Sequence, residues 1–169
     1  MLELLADNLT RFNESEETDR QGVFQILGIF ENMIAITPLV VIQLTEKTRL
    51  MKWLLERISL PLADANRAYS AELLSIILQQ VNTSRKLFGK LGGVEIVLKA
   101  CSVCDGNESN RQSKYLSTQR YRKHNPEDAD EMEFMDNLFN LLCASFNEPE
   151  NLIAFRECEG VDLMVLMIK

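Results

Sequence analysis

The chain has a single histidine, His124. Acid–base and nucleophilic mechanisms that rely on an imidazole beside a Ser, Cys or second base have little to draw on. No catalytic residue is assigned, and the chain is not expected to be an enzyme. Glycine and proline are also scarce, seven and four in 169 residues. That is too few for an all-β domain, which turns about every ten residues. No Gly-rich stretch has the spacing of a phosphate-binding loop. Basic charge is in the minority: 18 Lys and Arg against 25 Asp and Glu leave a formal net charge of −7. Such a chain lacks the positive field that non-specific nucleic-acid or anionic-membrane binding requires, and it suits basic partners better. Apolar runs are short and interrupted, so no segment is expected to span a membrane. Met1 opens onto Leu-Glu-Leu-Leu-Ala-Asp, with neither a basic start nor a cleavage site. The four cysteines are therefore expected as free thiols in a reducing, intracellular compartment.

Cys101-x-x-Cys104 is the most metal-like spacing, but a zinc site needs two further ligands in register. Cys143 and Cys158 lie in a different segment, and neither starts a second Cys-x-x-Cys. A thioredoxin-type motif would need a βαβ context. The thiols are read as structural, with no metal and no cofactor. The acidic run Glu127, Asp128, Asp130, Glu131 and Glu133 has no EF-hand spacing and suits the first turn of a helix.

What the chain does have is helical periodicity. Leu2, Leu5, Leu9 and Phe12 share one face of a helix over 2–12. A polar link follows, with Ser15 or Thr18 available as N-cap. From about Arg20, Val23 to Ile34 cover more than one helix face, and Pro38 breaks the run. Short helices are predicted at 39–46 and 48–58. A longer one, capped by Asp64 or Asn66, runs to about Gln80. Asn82–Ser84 reads as a turn, 85–91 as a short helix, Gly92-Gly93 as a cap, and 94–103 as another helix. Residues 104–128 are polar and aperiodic and are expected as a long mobile loop. A helix carrying Phe134, Leu138, Leu141, Leu142 and Ala144 comes next. Asn147–Asn151 reads as a turn, Leu152–Phe155 as a short helix, Glu159-Gly160 as a cap, and 161–169 as a final helix.

The pattern repeats. Shifting by 67 positions brings Ser84 onto Asn151, Phe88 onto Phe155, Gly93 onto Gly160, Val94 onto Val161 and Leu74 onto Leu141. Leu27, Ile29 and Phe30 stand 47 positions ahead of Leu74, Ile76 and Ile77. Units of about 40–47 residues with two or three helices are the armadillo/HEAT signature. The expected fold is all-α, an armadillo/HEAT-like right-handed α-solenoid of about three repeats in a single domain, with units about 19–60, 64–103 and 129–169. The recurrent glycine is attributed to a turn that needs positive φ. Apolar residues still arrive at Leu163–Lys169, so a piece of a longer solenoid is expected.

Two acids, Glu95 and Asp162, occupy equivalent places at the start of the last helix in their units. With Trp53 in the first unit they are the candidate peptide-binding residues, on the expectation that these third helices line a concave face. Each also has a plainer reading: an acid in a first turn complements the helix dipole, and a tryptophan usually packs in a core. The basic stretch Arg111, Lys114, Arg120, Arg122 and Lys123, with Tyr115 and Tyr121 interleaved, is read as a solvated loop and not as an RNA-binding strip.

Several stretches resemble the beta-catenin-like protein 1 family. They are Ala6-Asp7-Asn8-Leu9, Ile29-Phe30-Glu31-Asn32-Met33, Trp53-Leu54-Leu55-Glu56-Arg57, Ala71-Glu72-Leu73-Leu74-Ser75-Ile76, Lys123-His124-Asn125-Pro126, Asn137-Leu138-Phe139 and Glu159-Gly160-Val161. They run in order through nearly the whole chain and match an N-terminal-to-central part of that family's length. Residues 104 to about 120 depart from the family pattern and look like an insertion. The resemblance implies a nuclear, non-enzymatic armadillo scaffold of the spliceosome. It also implies partners in the Prp-nineteen-type complex and similarity to importin-like readers of basic nuclear-localisation segments. The Trp/Asn ladder of importins is not evident, so no peptide-binding residue is carried over. The competing expectation is a generic cytosolic armadillo adaptor outside splicing.

Overall fold

The computed structural model describes residues 2–60, 64–102 and 129–168; the loop read at 104–128 falls outside the described residues. Ten helices are formed within them: α1 (Leu2–Leu9), α2 (Glu17–Ile36), α3 (Pro38–Lys47), α4 (Leu50–Ser59), α5 (Ala65–Gln80), α6 (Asn82–Lys90), α7 (Gly93–Cys101), α8 (Ala129–Ser145), α9 (Pro149–Glu157) and α10 (Gly160–Ile168). After α1 the order long–short–short occurs three times. The fold is an all-α solenoid. The long helices α2, α5 and α8 stack side by side, the middle helices α3, α6 and α9 form a second row, and α4 packs on α7.

Local chemistry sets most boundaries. Pro38 does not merely end α2. It opens α3 as its first residue, where a missing N–H costs nothing. Thr37 caps that helix through its side chain, which accepts from the Leu39 N–H at 3.3 Å. Asp64 caps α5, accepting from the Arg67 N–H at 2.9 Å. Neither Ser15 nor Thr18 caps α2: Glu16 holds the N-cap position without a side-chain bond, and Thr18 lies inside the helix. One expected turn is helical, and so is the second part of another, whose Asn147 and Glu148 do form the break. Asn82–Ser84 forms the first turn of α6, and Pro149–Asn151 that of α9. In both places an extended residue, Val81 or Glu148, supplies the break.

The recurrent glycine has a different cause from the one expected. Positive φ falls one residue earlier, at Gly92 (70°) and at Glu159 (58°). Gly93 and Gly160 are glycine because a ring lies where a side chain would go. A Cβ on Gly93 would sit 2.3 Å from the ring of Phe88, and one on Gly160 would sit 2.3 Å from the ring of Phe155. The 67-residue echo therefore records one packing motif used twice, an aromatic ring of a middle helix pressed on the backbone that starts the next helix.

The core follows the long helices. Leu27 and Phe30 of α2, Leu74 and Ile77 of α5, and Leu141 and Ala144 of α8 are all buried, as the sequence echo places them. The middle row is joined by polar ties. Ser84, third residue of α6, meets Thr45, eighth of α3, with 3.0 Å between hydroxyl oxygens. One unit later Asn151, third of α9, lies over Gly89, eighth of α6, where a Cβ would come within 2.2 Å of the amide oxygen. The Asn151 amide donates to the Arg85 carbonyl at 3.0 Å and to the Ser145 carbonyl at 3.1 Å. Asn151→Ala is expected to cost about 1–3 kcal/mol, because it withdraws the donor from both carbonyls in a dry seam. Urea unfolding measures this; an unchanged midpoint would show that the seam is wet.

Candidate functional site

Stacking the long helices places residues from three units on one face. Tyr69 of α5 donates its hydroxyl hydrogen to the Glu31 carboxylate of α2. Its ring packs against Phe24 of α2, with centroids 5.1 Å apart at a 56° tilt. Phe24 is 43% exposed, so the pair is open to solvent on one side. Gly28 makes room for the hydroxyl: a Cβ there would lie 3.3 Å from the Tyr69 oxygen. Burial, together with the bond to Glu31, holds the Tyr69 phenol well above its ordinary range, so it remains a neutral donor.

One turn along α5 lies Glu72. Its carboxyl is pushed above the usual carboxylate range, first by partial burial and then by the negative charges of Glu31 and of Glu133 on α8. Acids from α2, α5 and α8 thus feel one another across the stack. Among the described residues no ion pair reaches Glu31, Glu72 or Glu133. Other surface acids do have partners, as in Lys52–Glu56 at 3.5 Å and Lys99–Glu95 at 3.3 Å. Neighbouring contacts fix the geometry. The Asn137 side chain donates to the Ala68 carbonyl at 3.5 Å, and the Arg67 guanidinium lies 4.1 Å from the centre of the Phe134 ring. The result is a face with an exposed aromatic edge and excess negative charge, which is suited to a cationic ligand.

A profile of the family described as "Catenin-beta-like, Arm-motif containing nuclear" matches residues 1–169. The chain belongs to this family. It is similar to Beta-catenin-like protein 1 of Rattus norvegicus and of Homo sapiens, 34% identical over 167 residues, which is 98% of this chain and 26% of each relative. The Beta-catenin-like protein 1 homolog of Schizosaccharomyces pombe is 30% identical over 171 residues, all of this chain and 27% of the relative. The chain spans about a quarter of the length of these relatives. Fold and family agree on an Arm-motif protein-interaction scaffold, in which stacked helices present an extended binding surface.

The residues singled out in the sequence lie elsewhere on this catenin-beta-like scaffold. Glu95 is in the first turn of α7 and pairs with Lys99. Asp162 is exposed in the first turn of α10. Trp53 is partly buried on α4 and packs against the core. One thus falls in each unit, on the row of final short helices. The sequence reading missed Glu31, Tyr69 and Glu72 because it followed the apolar stripe. The available signal was Tyr69 and Glu72 at i, i+3 on the opposite face of α5.

Cys101 is buried, and burial pushes its thiol up to about 12, which disfavours the thiolate. Cys104 lies outside the described residues. Among the described residues no group of three His, Cys, Asp or Glu side chains is placed to hold a metal ion. No described helix is long and apolar enough to cross a membrane.

Proposed function

We propose that this chain is a binding segment of a nuclear scaffold in the pre-mRNA splicing machinery. It takes basic, nuclear-localisation-like segments of partner proteins, with components of the Prp-nineteen-type complex as those partners. The observation that carries the reading is the convergence of Glu31, Glu72 and Glu133 beside the Phe24–Tyr69 pair, with no cation paired to them among the described residues. A Lys or Arg side chain lowers the mutual repulsion of these acids and finds an aromatic face beside it. The net charge of −7 draws such a segment in from a distance. The family's description as nuclear supports the compartment.

The test is titration of a Lys/Arg-rich peptide at several salt concentrations. Glu72→Lys is expected to weaken binding on the order of tenfold, about 1.4 kcal/mol, and to flatten the salt dependence. Glu95→Lys and Asp162→Lys probe the other row. If those two abolish binding and Glu72→Lys leaves it intact, the peptide lies along α4, α7 and α10. If none of the three has an effect, the acidic-surface reading fails. At the cellular level, co-purification with cytoskeletal or degradation components and no splicing proteins would exclude the splicing assignment.

A further inference from the structure

We infer, on the reading of the acidic face given above, that the row of long helices takes a two-part segment of its partner. An apolar side chain lies against the outer edge of Phe24, and Lys or Arg side chains lie over Glu72 and Glu133, all on one extended stretch. The row is zoned along the path of such a segment. From Gln21 to Ile36 the one charged residue of α2 is Glu31, which faces Tyr69. Gln21, Gln25 and Asn32 are exposed on α2 together with Phe24 and Ile29, which are 43% and 44% exposed. The Asn32 amide turns onto its own helix and donates to the Gly28 carbonyl at 2.8 Å. One turn before Phe24, Arg20 pairs with Glu17, and Asp19 accepts from the Asn13 N–H at 2.8 Å. A cation therefore finds little charge over the outer side of α2, whereas over α5 and α8 it meets Glu72 and Glu133.

Phe24 lies at a junction between stacked units and not at an end of the stack. Its ring packs on Tyr69 of α5 with centroids 5.1 Å apart, while Gly22 and Met33 of α2 face the other way, toward Phe12 and Leu2. The Tyr69 hydroxyl is tied to Glu31, so the ring that supports Phe24 is held in place. A single exposed apolar residue is ordinary on a protein surface. This one borders acids from three helices, so a chain drawn in by those acids passes over it. An apolar side chain laid along Phe24 removes apolar surface from water on both partners.

The spacing sets the pattern of the occupant. From the Phe24 ring to α5 is one ring contact of 5.1 Å. From α5 to α8 is one step between packed helices, about 8–10 Å. An extended chain covers this path in about four or five residues, at roughly 3.3 Å each. Alternate side chains of an extended chain point the same way. The segment therefore carries an apolar residue, then Lys or Arg at the second and fourth positions from it. A uniformly basic segment satisfies the acids but leaves Phe24 wet.

The test is fluorescence anisotropy on the full chain with two labelled peptides. One has leucine at the apolar position and lysine at the second and fourth positions from it; the other has serine in place of the leucine. Each is also made in reversed order, since either chain direction fits the path. In one order the leucine peptide is expected to bind on the order of tenfold tighter than its serine partner, the scale of burying part of one large apolar side chain. Raising the salt should weaken both peptides and leave their ratio unchanged, because apolar contact is not screened. Phe24→Ser should bring the ratio close to one, and Phe24→Leu should keep most of it. The peptide comparison is made on the unaltered chain, so it does not depend on how a variant folds. Leucine and serine peptides that bind equally in both orders would overturn the two-part segment and leave the acidic-face reading standing. So would a ratio that shrinks with salt, or one that survives Phe24→Ser. If none of the four peptides binds, the acidic-face reading fails and the two-part segment with it.

Discussion

Arg57→Met lowers the unfolding free energy by about 3–5 kcal/mol, toward the lower figure, measured by chemical denaturation. Arg57 is 5% exposed and joins α4 both to the segment before α2 and to the start of α5. Its guanidinium binds Glu14 before α2 and, at 2.6 Å, Asp64 at the start of α5. Burial works against its charge, but the bonds to Asp64 and Glu14 prevail and raise its pKa above the ordinary value. Removing the cation leaves two partly buried carboxylates, 23% and 15% exposed, without their counter-charge. Breaking a buried pair from one side costs far more than the pair contributes, because the surviving charge keeps its desolvation penalty. Two features moderate the loss. The Nη1 of Arg57 is buried without a partner among the described residues, so the native arrangement is itself imperfect. Asp64 also keeps its bond to the Arg67 N–H. Arg57→Lys retains the charge but not the fork, and should fall between wild type and Arg57→Met. A denaturation midpoint unchanged by Arg57→Met would mean that the ion pairs are open to water.

Gly93→Ala is the second large effect, expected at about 1–3 kcal/mol. The added methyl meets three atoms of the Phe88 ring within 2.7 Å, and Phe88 is fully buried with no room to retreat. The mechanism makes a double-mutant prediction. Phe88→Leu alone should destabilise by leaving a void. In that background Gly93→Ala should cost much less, giving a coupling energy of about 1 kcal/mol or more. Strict additivity would show that the glycine is required for backbone conformation and not for space. The same pair of measurements at Phe155 and Gly160 should give the same sign. Those positions repeat the contact, but Phe155 is 7% exposed and has more freedom to shift.

These contacts also show which parts of the molecule can be read from sequence. Helix positions, the stacked repeat and the buried stripe of Leu74, Ile77 and Leu141 follow from hydrophobic periodicity, a local and one-dimensional signal. The Phe88–Gly93 echo was visible as letters, but its cause was not. Positive φ and steric exclusion both select glycine, and only coordinates separate Gly92 from Gly93. The turn assigned at Asn82–Ser84, and the 149–151 part of the one assigned at Asn147–Asn151, are helical; polar residues in a first helical turn resemble those in a loop. The acidic face was the least legible part. Glu31, Glu72 and Glu133 lie in three helices spread over a hundred residues, and each alone is an ordinary solvated glutamate. Their convergence depends on how α2, α5 and α8 slide past one another, and the sequence of a single helix does not encode that. Glu95 and Asp162 drew attention for the opposite reason, since equivalence in sequence is easy to see.

The seam of the middle helices carries one more implication. Thr45 with Ser84, and Gly89 with Asn151, fill the same two places with different volumes, medium against medium and then small against large. Each junction is therefore keyed to its own neighbour. Grafting α8–α10 directly onto α2–α4 would drive the Asn151 amide into the Thr45 side chain. Shortening the array by deleting its middle unit should fail for that reason, unless Thr45 is replaced by glycine in the same molecule. The order of the units is written in the bulk of two side chains per joint.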